Sequence, residues 1–218
     1  MPLDRPIFDV SMTNMKLSTR KSKPRQYSQT ARAEAAEATG QRIIEAFLER
    51  FLKEWLDEIT LDRVAADAGV TVQTVVRRFG GKEGLLAASL SAMGERVMAT
   101  RAAPRGDIEQ VVTNLLADYE QTGDAVLRLL ALEQRHESLT QFLQHGRIGH
   151  REWVTSAFES EFPPLSEAAK QRAIDSLVLI TDVYTWKLLR RDMSRTLAET
   201  HATLTNLIRG HLAALNGN

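Results

Sequence analysis

The chain has 218 residues, with 28 basic and 28 acidic side chains and a formal net charge of zero. Its 43% hydrophobic and 26% charged residues are the balance of a chain that buries a core, which excludes disorder along most of the length and a globally basic coat for nucleic acid. It contains no cysteine, so disulfides, thiolate metal sites, a catalytic cysteine and thiol redox sensing are excluded together.

Residues 1–28 read as a flexible basic arm. Within it, residues 16–25 hold Lys16, Arg20, Lys21, Lys23 and Arg25 with no acid among them, the composition of a solvated tail or of an arm that lies along phosphates. No apolar run in this stretch is long enough for a signal peptide, and Asp4 and Asp9 break the charged-then-apolar order. No part of the chain approaches the roughly 20 apolar residues of a membrane span. The expected location is the cytoplasm, with no membrane partner.

Beyond the arm, apolar residues recur at helical spacing and no alternating strand pattern occurs. Ile43, Ile44, Phe47, Leu48, Phe51 and Leu52 predict a helix over 31–52. A second helix opens at Thr60, whose hydroxyl can accept from a free amide of the first turn, with Ile59 and Val64 at the positions of a hydrophobic staple. Gly69 follows its last periodic residue, where a left-handed cap is needed, and Thr71 then caps a third helix. Gly80-Gly81 ends that helix, and a longer fourth follows over 82–101.

Pro104 and Gly106 in "AAPRGD" mark a domain boundary at 102–107. Further helices are expected over 108–119, from Ala125 after a break at Gly123-Asp124, and from Ser138 to Phe158 with an interruption at Gly146. Two long ones follow, from Ser166 to Asp192 and from Leu197 to Leu215. The fold class is therefore all-α, an N-terminal helix-turn-helix three-helix domain over 29–101 followed by a C-terminal helical bundle over 107–218. The last two helices carry apolar stripes that can pair with each other, or with their copies in a homodimer as a four-helix bundle.

On a helical wheel the third helix sorts its residues. Val75 and Phe79, flanked by Val72 and Val76, face Leu61, Ala65 and Ala68, while Gln73 and Arg77 lie opposite with Thr74 and Arg78 nearby. A major groove admits one helix, and amide and guanidinium groups pair with adenine and guanine edges. Hydroxyls such as Thr71 and Thr74 can fix the docking on phosphates. Lys82, at the start of the fourth helix, adds a cation where free amides already favour an anion. The partner implied is double-stranded DNA.

The segment "ITLDRVAADAGVTVQTVVRRFGGKEGLL" resembles the DNA-binding domain of the tetracycline-repressor (TetR) family. Ile59-Thr60, Ala65-Ala66, Gly69-Val70-Thr71, Thr74-Val75, Phe79, Lys82-Glu83 and Leu85 stand at the spacings of the family pattern. Val76 departs from it. Members usually carry tyrosine there, whose ring and hydroxyl touch the DNA backbone, and valine cannot donate that bond. The resemblance implies a ligand-responsive repressor, not an enzyme, that binds a palindromic operator as a dimer with half-sites about 34 Å apart or slightly more. The DNA-binding candidates are Thr60, Thr71, Val72, Gln73, Thr74, Val76, Arg77, Arg78 and Lys82.

The resemblance also implies a C-terminal half that binds a small-molecule effector, and no cofactor. Tyr119, Trp153, Tyr184 and Trp186, each an apolar body with a polar tip, are the candidates for that pocket, with His150 and Asp182 as polar anchors. Asp182, inside "LVLITDVYTW", needs a partner because a carboxylate in an apolar run is costly. Two rival classes stand beside this reading. One is a helical-bundle metalloenzyme, from the single Glu133 and His136 pair at carboxylate-bundle spacing; no metal is expected, because such sites need two copies. The other is a helical adaptor that no longer reads DNA, which Val76 keeps open. Steep salt dependence of binding separates DNA reading from both.

Overall fold

A computed structural model describes residues 25–135 and 137–217. The chain divides into two compact units, 1–37 and 38–218. In the first unit the described residues are the opening turns of α1 (Arg25–Phe51), with exposed side chains from Thr30 to Glu37. The helix begins ahead of the expected residue 31, so Arg25 to Ser28, assigned to the flexible arm, are helical. The Ala-, Arg-, Gln- and Glu-rich sequence from Arg25 onward sustains a helix. The rest of the basic run, Lys16 to Lys23, lies outside the described residues.

The second unit continues α1 and adds α2 (Leu61–Asp67), α3 (Val72–Phe79), α4 (Lys82–Thr100), α5 (Ile108–Leu132) and α6 (Glu137–Phe158). It ends with α7 (Glu167–Thr181), α8 (Val183–Lys187) and α9 (Leu197–Asn216). Among the described residues there is no strand. Two apolar clusters hold the unit together. One gathers Phe47, Phe51, Val64, Val75, Leu85 and Leu90 with Leu129 and Leu132 of α5 and Leu139 and Leu143 of α6. The other joins Leu115, Val154, Leu177, Trp186 and Ile208. The expected boundary at 102–107 is thus a turn within one compact unit, because the first cluster takes side chains from both sides of it.

Three further helices differ from expectation. α5 runs unbroken through Gly123-Asp124. Gly123 serves packing there, since a Cβ would lie 2.5 Å from Cζ3 of the Trp186 ring. α6 starts at Glu137, placing Ser138 inside its first turn rather than at its cap, and passes through Gly146 without interruption. An isolated glycine costs a helix only about 1 kcal/mol, less than α6 gains by burying Leu139, Leu143, Val154 and Phe158.

The third difference is a break. The helix expected over 166–192 stops at Thr181, and Asp182, in extended conformation, caps α8 by accepting from the Tyr184 amide at 2.8 Å. A π-helical turn, Leu188–Asp192, completes the segment. Leu52, expected on the apolar stripe of the first helix, turns outward and is 37% exposed.

Candidate nucleic-acid interface and ligand cavity

The turn between α2 and α3 is built by local chemistry. The amide of Val70 donates to the Ala65 carbonyl (2.9 Å) and that of Gly69 to Ala66 (3.1 Å), with Gly69 at φ 66°. This is the paired closure of a Schellman motif, and its left-handed residue is cheap only for glycine. Thr60 Oγ1 accepts from the Arg63 amide and Thr71 Oγ1 from the Thr74 amide, capping both helices. Ile59 and Val64 are buried in the same cluster. Ala65 and Ala68 let α3 approach α2, and Val75 fills the contact with none of its surface exposed.

The opposite face of α3 is open. Thr71, Gln73, Val76, Arg77 and Arg78 are exposed, and Val72 and Thr74 half-buried. Thr71 Oγ1 and Thr74 Oγ1 lie 3.0 Å apart. Val76 is 43% exposed, so it does not flank the core as its wheel position predicts. Arg78 differs as well. Its guanidinium lies against α1, occupying the space a Cβ at Gly40 would need, and stacks 5.8 Å from the Phe79 ring centroid. Thr60 is exposed at the start of α2. Lys82 donates to the Leu56 carbonyl at 2.7 Å, tying α4 to the connection after α1, and burial lowers its pKa. Gln73, Thr74 and Arg77 are thus the side chains presented on one outer face.

The second feature is a cavity of about 710 Å³ bounded by α4, α5, α6 and the α7–α8 break. Leu86, Leu90, Met93, Val97, Val126 and Phe142 supply apolar wall. On one side stands a buried polar cluster. Nε and Nη2 of Arg101 each lie 2.6 Å from Asp118 Oδ2, and Nη1 donates to His150 Nδ1 at 3.0 Å. Because arginine has only donors, His150 accepts on Nδ1 and its proton sits on Nε2, facing Thr181 Oγ1 at 3.1 Å. That hydroxyl donates in turn to the Leu177 carbonyl, 2.7 Å away. Burial, aided by the Arg101 charge, pushes the His150 pKa down to about 3, so the ring is neutral. The guanidinium carbon also lies 4.8 Å from the Tyr119 ring centroid and 5.3 Å from that of Trp153.

The helix break feeds this cluster. The Thr181 carbonyl accepts from the Tyr119 hydroxyl at 3.0 Å, and burial pushes the Tyr119 pKa up to about 12. Of the expected effector residues, Tyr119, His150, Asp182 and Tyr184 line the cavity. Trp153 and Trp186 do not. Trp153 stacks on His150 and donates to the Arg101 carbonyl, while Trp186 is fully buried and donates to Glu120. Asp182 finds its partner in the cap of α8.

Arg101 and Asp118 were not singled out by sequence. The available signal was Asp118 itself, a carboxylate beside Leu115, Leu116 and Tyr119 on an apolar helical face, the same signal that marked Asp182. Glu133 receives two hydrogen bonds from Arg147 (2.7 and 2.6 Å), and His136 lies outside the described residues.

Residues 43–89 match the profile of the bacterial regulatory proteins of the tetR family. The likeness to the tetR family is thus shown for this N-terminal stretch. The matched region contains the whole α2–α3 turn and its caps. Two curated Pseudomonas putida proteins, the HTH-type transcriptional regulator SrpR and the uncharacterized HTH-type transcriptional regulator TtgW, are each 48% identical over 63 residues. That stretch is 28% of this chain and spans only 30% and 47% of the two relatives' own lengths.

Solved structures extend the likeness to most of the chain. A Pseudomonas aeruginosa protein described as a transcriptional regulator has a TM-score of 0.61 at 18% identity, covering 81% of this chain and 91% of its own. A TetR transcription regulator from Haloarcula marismortui has a TM-score of 0.58 at 16% identity, covering 82% and 98%. At such identities the likeness shows the fold alone, an all-α arrangement that runs through the C-terminal helices.

Proposed function

We propose that this chain is a tetR-family DNA-binding transcriptional regulator that acts as a ligand-responsive repressor, binding a palindromic operator as a homodimer in the cytoplasm. The observation that carries the reading is the outer face of α3, where Gln73 and Arg77 stand exposed beside the half-buried Thr74 on a helix clamped by two caps and a Schellman turn. Amide and guanidinium groups so held can read adenine and guanine edges in a major groove, each bidentate pair contributing about 1–3 kcal/mol of discrimination. Exposed apolar residues on the last helices, Leu179, Leu188 and Leu207, support pairing with a second copy. The cavity reaches α4, the helix that follows the recognition helix, which supports effector binding there. A ligand that prefers the state with badly spaced recognition helices lowers DNA affinity by its differential affinity for the two states.

Selection of bound duplexes from a random pool, followed by sequencing, tests the reading. A recovered palindrome whose affinity falls steeply with salt supports a dimeric DNA reader. No enrichment at low salt rejects it and favours an adaptor, the alternative that Val76 in place of the usual tyrosine keeps open.

A further inference from the structure

We infer that Arg78 is a positioning residue rather than a base reader. Its guanidinium is seated on Gly40 of α1 and fixes the roll of α3, so that Arg77 alone of the two neighbouring arginines is offered to a base edge. The inference rests on reading α3 as the DNA-binding helix.

Gly40 is buried inside α1 and has no positive φ. The backbone therefore does not call for glycine there, and alanine is the better helix former. The space that the missing side chain leaves is occupied. The three atoms nearest to a Cβ at Gly40 are Nε, Nη2 and Cζ of Arg78, all closer than van der Waals contact allows. The glycine thus opens a seat in α1 for one guanidinium, which also lies 5.8 Å from the Phe79 ring centroid.

α3 needs such a hold. It is eight residues long, and Val75 is its buried side chain. A two-turn helix pinned through a single core residue can roll about that contact, and a roll carries Gln73 and Arg77 off the line of a groove. Gly69 and Thr71 fix the start of the helix, and Arg78, in its last turn, holds the far end to a second helix. Adjacent residues on a helix point about 100° apart. With Arg78 turned back to α1, the exposed Arg77 remains on the outer face with Gln73. From this arginine pair, each half-site is expected to specify one guanine, not two adjacent ones.

Gly40→Ala is the decisive variant. Gly40 has no side chain to offer DNA, and the added methyl displaces only the flexible end of Arg78. Urea unfolding of the natural chain, Gly40→Ala, Arg78→Ala and the double variant reads the seat. Gly40→Ala should raise the midpoint in the Arg78→Ala background, where the helix gains propensity. With Arg78 present it should raise the midpoint less, or lower it. Affinity for a duplex recovered by the random-pool selection reads the positioning. Gly40→Ala and Arg78→Ala should each weaken it about tenfold, and the double variant no further. Neither should show the fall of about one in salt slope that marks a lost phosphate contact, and no single base pair should lose its preference. Arg77→Ala should lose discrimination at one base pair.

Equal midpoint shifts in the two backgrounds overturn the seat. Unchanged affinity in Gly40→Ala overturns the positioning role, as does a preference lost at one base pair, or a reduced salt slope, in Arg78→Ala. If the selection recovers no duplex, the regulator reading and the positioning role fall together, while the midpoint cycle still decides whether Arg78 sits on Gly40.

Discussion

His150 stays uncharged because Arg101 donates to its Nδ1 and burial disfavours a second proton. In the unfolded chain a histidine takes up a proton near pH 6.5, whereas in the fold this one does so only near 3. Between those values the unfolded state binds more protons, so stability falls as pH drops through 6.5 toward 3. The contribution lost between pH 7 and pH 5 is about 2 kcal/mol. Urea unfolding at the two pH values should show this loss in the natural chain and a loss smaller by that amount in His150→Gln. Equal losses in both would refute the assignment. Asp118 is open to a sharper test, because removing it leaves the Arg101 charge buried and unpaired. Asp118→Ala should cost about 3–5 kcal/mol in the same measurement.

The helices divide into those whose ends are written locally and those whose ends are not. α2 and α3 are bounded by Thr60, Gly69, Thr71 and Gly80, each acting on its own backbone or on residues a turn away. These boundaries were legible. Thr71→Ala should cost about 1 kcal/mol through the lost cap, and Gly69→Ala about 1–2 kcal/mol through its left-handed φ. Both are measurable by thermal unfolding, and both should weaken DNA binding if the turn sets the angle of α3. α5 behaves otherwise. Its Gly123-Asp124 pair reads as a break, yet the helix continues and Trp186 lies against the glycine. Gly123→Ala, stabilising in an exposed helix, should here destabilise by about 1–3 kcal/mol, since the added methyl overpacks the contact. A gain in melting temperature would refute that packing.

Across the molecule, the wall of the cavity and the support of α3 are one piece of structure. Leu86, Leu90 and Met93 belong both to the cavity and to the cluster that buries Val64 and Val75. Arg128 of α5 donates to the Phe51 carbonyl at the end of α1 (3.0 Å), a second link between the bundle and the helix-turn-helix. In the proposed regulator, a ligand that repositions α4 would therefore act on α3 through packed side chains. The exposed Leu179 and Leu207 belong to the proposed dimer face. Leu179→Glu combined with Leu207→Glu should give a monomer by sedimentation velocity with helix content retained, and operator affinity should fall with it. A dimer that persists would move the interface elsewhere.

The all-α class, the helix-turn-helix and the exposed Gln73–Arg77 face followed from residue order alone, because caps, left-handed glycines and helical periodicity act over a turn or two of chain. Partnerships between distant positions did not. Arg101 meets Asp118 and His150, Arg78 turns back onto Gly40, and Trp153 and Trp186 become core while Tyr119 and Tyr184 line a cavity. Each of these depends on which helix packs against which, and an aromatic or charged side chain at helical spacing has the same local signature whether its neighbour is core, cavity or solvent. Only the tertiary packing supplied that neighbour.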